Sequence, residues 1–174
     1  MKALVLTRGV PGCGKSTWLK DNNLMPFVVS SDTIRLMYHS PIMTTDGSLA
    51  ISQEFDSVVW RTLENVVSFR MMNDCFTIID ACHSKPSDFT KHYTAVKFYN
   101  YKIYCLDFTD VPLEVAKTRN SNRLLTPEES FRYVPEKVIE KFYERMNTPP
   151  PLEVEVIKPE NFWDLFINFK NLLR

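Results

Sequence analysis

Nine consecutive residues near the start of the chain, Gly9-Val10-Pro11-Gly12-Cys13-Gly14-Lys15-Ser16-Thr17, have the types and spacing of an anion cradle. Glycines at 9, 12 and 14 allow backbone conformations and close approaches that side chains would block, so successive N–H groups can point at phosphate oxygens. A helix opening near Lys15 adds unpaired N–H groups and the positive end of its dipole. Lys15 reaches the β and γ phosphates, and Ser16 offers a hydroxyl to Mg²⁺ with Thr17 beside it. Gly, four residues, Gly-Lys-Ser is the Walker A pattern, and the apolar run Leu4-Val5-Leu6-Thr7 before it supplies the strand that gives the pattern meaning. Gly12, Cys13, Gly14, Lys15, Ser16 and Thr17 are therefore expected to hold ATP or another nucleoside triphosphate, with Mg²⁺ on Ser16.

Two further pairs could act on what the loop holds. Asp32 and Arg35 lie three apart in Ser30-Ser31-Asp32-Thr33-Ile34-Arg35, where a helix follows the short strand Phe27-Val28-Val29. That spacing puts both on one face near the helix N-terminus. A carboxylate there can take a proton from an acceptor hydroxyl while the guanidinium holds a nearby anion. Asp32 is equally suited to capping the helix, and Arg35 taken alone reads as a solvated surface arginine. Arg119 and Arg123, four apart near a helix end, could clamp a transferring phosphate; they also suit a helix C-terminus through its dipole.

The elements that must position these groups alternate along the chain. Ser16 to Lys20 reads as helix, Phe27 to Val29 as strand, and Ser48 to Met72 as one long helix with Phe55, Val58, Val59, Leu63, Val66, Val67 and Arg70 at helical spacings. Cys75 to Ile79 is a buried strand ending at Asp80, followed by a helix begun by Pro86 with Ser84 as its cap. Lys102 to Leu106 is the next strand, Pro112 to Asn120 the next helix, and Arg123 to Arg132 a polar loop or lid. A helix from Pro135 to Met146, an edge strand at Leu152–Ile157 and a final helix through Phe162, Leu165, Phe166, Phe169 and Leu172 complete the chain. Strand and helix in alternation with short connections predict an α/β fold, a central parallel sheet of about five strands covered by helices on both faces. Residues 1–174 are expected to form a single domain with a small lid over roughly residues 119 to 134.

Composition narrows the classes. Lys plus Arg equals Asp plus Glu at 21 each, so no bulk charge draws the chain to nucleic acid or a membrane, and any polyanion must meet a local patch. Cys13, Cys75, Cys82 and Cys105 form no CxxC pair and read as reduced thiols. No run approaches the ~20 apolar residues that span a bilayer. A soluble cytoplasmic protein with no membrane partner is expected.

The run Gly9 to Trp18, the Ser-Ser-Asp-x-x-Arg of residues 30 to 35, Ile78-Ile79-Asp80-Ala81 and Arg119-Asn120-Ser121-Asn122-Arg123 resemble the polynucleotide 5′-kinase family, which includes phage end-healing kinases and the kinase modules of bacterial RNA-repair enzymes. Val134-Pro135 to Met146 resembles that family's last kinase helix, so the likeness covers roughly residues 3 to 146. The resemblance implies a P-loop kinase fold, that Lys15, Ser16 and Thr17 bind the donor phosphates and Mg²⁺, and that Asp32 is the general base toward a 5′-hydroxyl. It implies that Arg35 contacts the phosphate of the acceptor's terminal nucleotide, and that Arg123 engages the donor phosphates from the lid with Arg119 assisting. Asp80 stands in the family's Asp-Ala/Thr-Asn position, but Cys82-His83 follows where Asn is usual. The role of Asp80 is left open, and His83 reads as a surface residue that could alternatively hydrogen-bond an acceptor or a water. Ser52-Gln53-Glu54-Phe55-Asp56 resembles the family's Phe-Asp helix start, with Gln53 a candidate for lining the acceptor channel.

The function these features imply is ATP-dependent phosphorylation of the 5′-hydroxyl end of RNA or DNA in end healing. A ligase or phosphatase is expected on another chain or in a longer parent protein. Three other readings stand beside it: a small-molecule kinase for a nucleoside, sugar or antibiotic, a toxin-type kinase acting on a cell-wall sugar nucleotide, and a non-catalytic ATP-binding switch. RNA and DNA are not distinguished, because contacts to the 2′-hydroxyl cannot be located in the sequence.

Overall fold

The first strand, β1 (Ala3–Arg8), is buried along its whole length, as a central strand of a parallel sheet must be. In a computed structural model, which describes residues 1–45 and 47–167, it is followed by α1 (Lys15–Asp21), β2 (Val28–Ser30) and α2 (Ser31–Tyr38). A hairpin, β3 (Ile42–Met43) and β4 (Leu49–Ala50), then leads to α3 (Asp56–Met72) and β5 (Thr77–Asp80). Next come α4 (Ser87–Thr90), α5 (Tyr93–Phe98), β6 (Lys102–Asp107), α6 (Leu113–Asn122), α7 (Pro127–Ser130), α8 (Glu136–Arg145), β7 (Glu155–Ile157) and α9 (Phe162–Leu165). The main sheet has five strands in the order β2-β5-β1-β6-β7, and each neighbouring pair is parallel. This is the expected α/β P-loop kinase architecture.

Side chains alternate across a strand, and the register sorts them into two cores. Val5 lies level with Ile78 and Tyr104, and these pack on one face with Leu19 of α1, Ile139 of α8, Phe162 and Phe166. Leu6 lies level with Ile79 and Cys105, and these pack on the other face with Val59, Leu63 and Val67 of α3 and with Phe89. Each fully buried aliphatic side chain contributes about 1.5–3 kcal/mol relative to exposure, so both faces are fixed by burial. Phe166 is reached by the rings of Phe76, Tyr104 and Phe162 at 5.5, 5.3 and 4.7 Å. Phe169 and Leu172 of the expected final helix lie outside the described residues.

Several local expectations need correction. The helix expected from Ser48 begins at Asp56, because Leu49 and Ala50 pair with Met43 and Ile42 in an antiparallel hairpin. Its inward stripe is Val59, Leu63, Val67 and Met71, while Phe55, Val58 and Val66 are exposed. Ser84 does not cap α4. It is buried, and Asp88 Oδ2 instead accepts from the Lys85 N–H at 2.9 Å. The segment 123–132 is not irregular: it holds a tight helical turn at Arg123–Leu125 and then α7.

Two histidines are sealed inside this frame. His83 and His92 are each 3 % exposed, and the Nε2 of each lacks a hydrogen-bond partner. Burial pulls both pKa values down to about 3, with the nearby Lys91 charge acting in the same direction. The folded chain therefore holds both rings neutral, whereas the unfolded chain protonates them below the ordinary value of 6.5. Stability conferred by neutral burial is full above about pH 6.5 and falls progressively toward pH 3. Between pH 7 and pH 5 the loss is about 2 kcal/mol per histidine. Urea unfolding at those two pH values should show this loss, and His92→Gln should reduce it by roughly half. An unchanged pH dependence in that variant would contradict the assignment.

Candidate active site

The glycine loop joins β1 to α1 and wraps toward its own lysine. Gly9, Gly12 and Gly14 all have positive φ, at 151°, 85° and 103°. The close approach is tightest at Gly12, where a Cβ would stand 2.2 Å from the Ala116 carbonyl oxygen of α6. Lys15 Nζ donates to the carbonyls of Gly9 at 2.8 Å and Val10 at 3.0 Å, and the side chain is buried. Burial opposes its charge, yet its pKa stands above the ordinary lysine value because the sulfurs of Cys82 and Cys13 and the Asp80 carboxylate lie beside it. Ser16 and Thr17 are exposed at the start of α1.

Asp80, at the end of β5, completes this half of the site. Ser16 Oγ donates to Asp80 Oδ2 at 2.6 Å. Thr7 at the end of β1 ties the two strands together, donating from Oγ1 to the Ala81 carbonyl at 2.8 Å and accepting from the Ala81 N–H at 3.2 Å. The loop after Asp80 is docked on the phosphate loop, with Gly9 N–H donating to the Cys82 carbonyl at 3.2 Å. His83 is buried rather than on the surface. Its Nδ1 lies 2.6 Å from the Thr7 carbonyl, so the neutral ring carries its proton there and donates it. The ring is held in place by a backbone φ of 38°, uncommon outside glycine. Burial pushes the neighbouring Cys82 thiol up to about 11, against the pull of Lys15.

Asp32 and Arg35 come together at the start of α2. Arg35 Nη1 donates to Asp32 Oδ1 at 2.8 Å and its Nε donates to Asp56 Oδ1 at 2.8 Å. The arginine side chain is 11 % exposed and that of Asp32 is 50 % exposed. Arg35 is thus no solvated surface arginine but a bridge between two carboxylates. The cap of α2 is Ser30, whose Oγ accepts from the Thr33 N–H at 3.4 Å. Asp32 is left presenting a half-open carboxylate whose charge acts on Cys82 and on Arg123. Asp56 was not singled out by sequence as an ion-pair partner, since it stands 21 residues from Arg35.

Arg119 and Arg123 approach from the opposite side. Arg119 Nη1 donates to the Cys13 carbonyl within the phosphate loop at 3.3 Å. α6 ends at Asn122 and passes without a break into the tighter turn Arg123–Leu125, with Arg123 itself at helical backbone angles; its Nη1 donates to the Arg132 carbonyl at 2.7 Å. Asn120 is fully buried and clasps Val134 twice, donating to its carbonyl at 2.7 Å and accepting from its N–H at 3.1 Å. Residues 121–133 therefore form an excursion closed at its root. Gln53 is exposed just before α3, and its carbonyl accepts from the Asp56 N–H at 3.2 Å.

Residues 4–149 match the AAA domain family. The chain belongs to that family. Among solved structures, this AAA domain is similar to a protein of the Pnkp1/Rnl/Hen1 RNA repair complex, with a TM-score of 0.64 and 23% identity over 84% of the chain. It spans 44% of that protein, less than half its length. Kti12 from Chaetomium thermophilum, solved with ADP-AlF3, matches with a TM-score of 0.61 and 16% identity, covering 95% of this chain and 97% of that one. A sugar kinase from Janibacter sp. HTCC2649 matches with a TM-score of 0.56 and 19% identity, covering 98% and 95%. At these identities the likeness is one of fold. No protein curated for function matches this AAA domain significantly. Among the described residues no helix is long and apolar enough to cross a membrane.

Membership in this P-loop family implies nucleotide binding, and Mg²⁺ is the ion such sites take with it. The Ser16 hydroxyl and the Asp80 carboxylate, in mutual contact at 2.6 Å, are hard oxygen donors suited to that ion. Asp80 is the residue whose role the sequence left open, although an apolar strand ending in aspartate beside a Walker A strand was the available signal. Asp80→Asn should weaken ATP binding at least roughly ten-fold in Mg²⁺, while leaving binding in EDTA within about two-fold. Calorimetric titration under both conditions checks this, and equal losses in both would remove Asp80 from the metal side.

Proposed function

We propose that this AAA domain is an ATP-dependent polynucleotide 5′-hydroxyl kinase, transferring the γ-phosphate to the 5′-OH end of RNA or DNA in nucleic-acid end healing. The observation that carries the reading is the half-open Asp32 carboxylate, fixed by Arg35 at 2.8 Å, whose charge acts on Cys82 and on Arg123. A nucleotide-binding switch has no need of a positioned carboxylate apart from its phosphate loop, whereas a kinase must orient and deprotonate an acceptor. The likeness to the RNA repair protein supports the choice of acceptor.

Phosphoryl transfer asks the protein to align donor and acceptor and to neutralise charge on the transferring group. The loop N–H groups and Lys15 hold the donor phosphates. Ser16 and Asp80 would hold Mg²⁺, which when bound supplies positive charge between phosphate oxygens. Asp32 accepts the proton of the incoming 5′-hydroxyl as its oxygen bonds to the γ-phosphorus and the bond to ADP breaks. Arg35, whose Nε donates to Asp56 and whose Nη1 donates to Asp32 and Ser31, fixes the direction of that carboxylate, and its Nη2 would meet the phosphate of the acceptor's terminal nucleotide. Arg119 and Arg123 offset charge from the lid side, residues 119–134. Partner ligase or phosphatase activities belong to other polypeptides or to a longer parent protein.

One observation favours a second reading. The Janibacter sugar kinase matches this chain over nearly the full length of both, as a small-molecule kinase of the same fold would. Transfer of label from ATP to 5′-hydroxyl oligonucleotides, in competition with free nucleosides and sugars, separates the two; transfer only to small molecules overturns the proposal.

Asp32→Ala should lower transfer by about 10²–10⁴-fold with ATP affinity retained. Loss of ATP binding in the folded variant would remove Asp32 from the role of base. Arg123→Ala should lower kcat by about 10³-fold or more with oligonucleotide KM little changed. A change confined to KM would assign Arg123 to binding alone.

A further inference from the structure

Resting on the polynucleotide-kinase reading, we propose that His39 and Phe55 form a stacking platform for a base of the single-stranded acceptor, one nucleotide in from the 5′ end that Asp32 receives. The two rings lie 6.2 Å apart at 26°, near parallel, and both residues are exposed. They are joined to the candidate base by a short chain of contacts. Asp32 is held by Arg35, Arg35 by Asp56, and Phe55 is the residue before Asp56. His39 directly follows α2, seven positions beyond Asp32. The seven residues from Asp32 to His39 advance roughly 10 Å along the axis, so the aromatic pair lies at the far end of α2 from Asp32.

The surroundings of the pair are apolar. Met37 is 76 % and Met43 68 % exposed, and Tyr38, Leu49 and Val58 are also exposed. The hairpin that carries Met43 and Leu49 leaves from the end of α2 and returns before α3, the two helices that carry Asp32, Arg35 and Asp56. Exposed apolar residues gathered on the two helices that hold the candidate acceptor groups, and on the hairpin between them, suit a binding surface there. Charge selects its occupant's mode of binding. Arg35 is matched by two carboxylates, and the whole chain carries no net charge, so beyond the terminal nucleotide the phosphates give a strand little purchase here. Base faces do, since every base stacks on an aromatic ring irrespective of sequence.

The test compares kcat/KM, with ATP as donor, for three 5′-hydroxyl acceptors of the sugar type the wild type accepts: a 3′-phosphorylated mononucleotide, a tetranucleotide, and the same tetranucleotide abasic at its second position. In the wild type the abasic site should cost about ten-fold relative to the intact tetranucleotide. Phe55→Ala and His39→Ala should show a similar fall on the intact tetranucleotide, almost no further fall on the abasic one, and almost none on the mononucleotide; Phe55→Trp should restore the preference. Equal losses on all three acceptors would make the residues structural and overturn the platform. Unchanged kinetics in both alanine variants would overturn it too, as expected of a surface that receives a protein partner. If Phe55→Ala fails to fold, the exposed His39→Ala and the abasic comparison in wild type still decide. Failure of the kinase reading itself is visible separately, in the wild type alone, as transfer to no oligonucleotide of any length.

Discussion

The parallel pairing of β1 with β5 is the contact on which the site depends. Leu6 lies level with Ile79, so Thr7 and Asp80 arrive together at the carboxyl edge of the sheet, and the glycine loop begins beside the aspartate. Thr7, Gly9 and His83 then tie the two strand ends with four backbone or side-chain bonds. On the far side of β5, Ser30 of β2 lies level with Asp80, which places Asp32 two residues past the same edge. The strand order β2-β5-β1 thus lays out Asp32, Asp80 and the phosphate loop in sequence across the sheet. Neighbouring strands lie about 4.8 Å apart, so the proposed donor and acceptor positions are separated by roughly the width of two strands, with Asp80 between them.

That layout accounts for how charge is distributed. Asp80 is nearly buried, yet it lies beside Lys15 and is bonded by Ser16, so its charge is compensated where water is scarce. Asp32 is half open and compensated by an arginine that is itself shared. The first carboxylate suits holding a cation and the second suits meeting a hydroxyl that comes and goes. Cys82, set among these groups, has its thiol pushed up to about 11 and so contributes no thiolate charge at neutral pH.

What the sequence disclosed follows the range of the interactions involved. The phosphate loop was legible because three glycines, a lysine and a hydroxyl act within nine residues, and the five-strand parallel sheet because alternation of apolar runs is also local. Asp80 was legible only as a strand end: its partnership with Ser16 spans 64 residues and needs β5 to be the neighbour of β1. His83 was misread as a surface residue because its burial comes from the Thr7 carbonyl, 76 residues away, and from packing beside Phe89. The long helix was overextended because Ile51 and Phe55, four apart, continue its apolar spacing, while the pairing of Leu49 with Met43 and Ala50 with Ile42 that occupies its expected first turn leaves no mark in a helical period. Ser30 and Asp32 both suit a cap, and only the observed bond from Thr33 assigns that place to Ser30.

The same reasoning separates the two arginines that sequence spacing grouped as one clamp. α6 is pressed onto the phosphate loop at Gly12, where a single added carbon would meet the Ala116 carbonyl at 2.2 Å and Asn120 Cβ at 3.2 Å. The root of the proposed lid is therefore rigid with respect to the loop, and Asn120 extends that rigidity to Val134 through its two bonds. Arg119 belongs to this fixed root and already touches the Cys13 carbonyl. Arg123 belongs to the excursion beyond it, tied only to the Arg132 carbonyl within the same excursion, and its burial there lowers its pKa relative to a free arginine. In the proposed kinase reading, a closing movement of residues 121–133 over a bound nucleotide would carry Arg123 and leave Arg119 in place. A cation delivered by closure stabilises the transition state without first tightening the ground state, whereas one fixed on the loop acts on both, so the proposal gives Arg123 to the transferring phosphate and Arg119 to the nucleotide at rest.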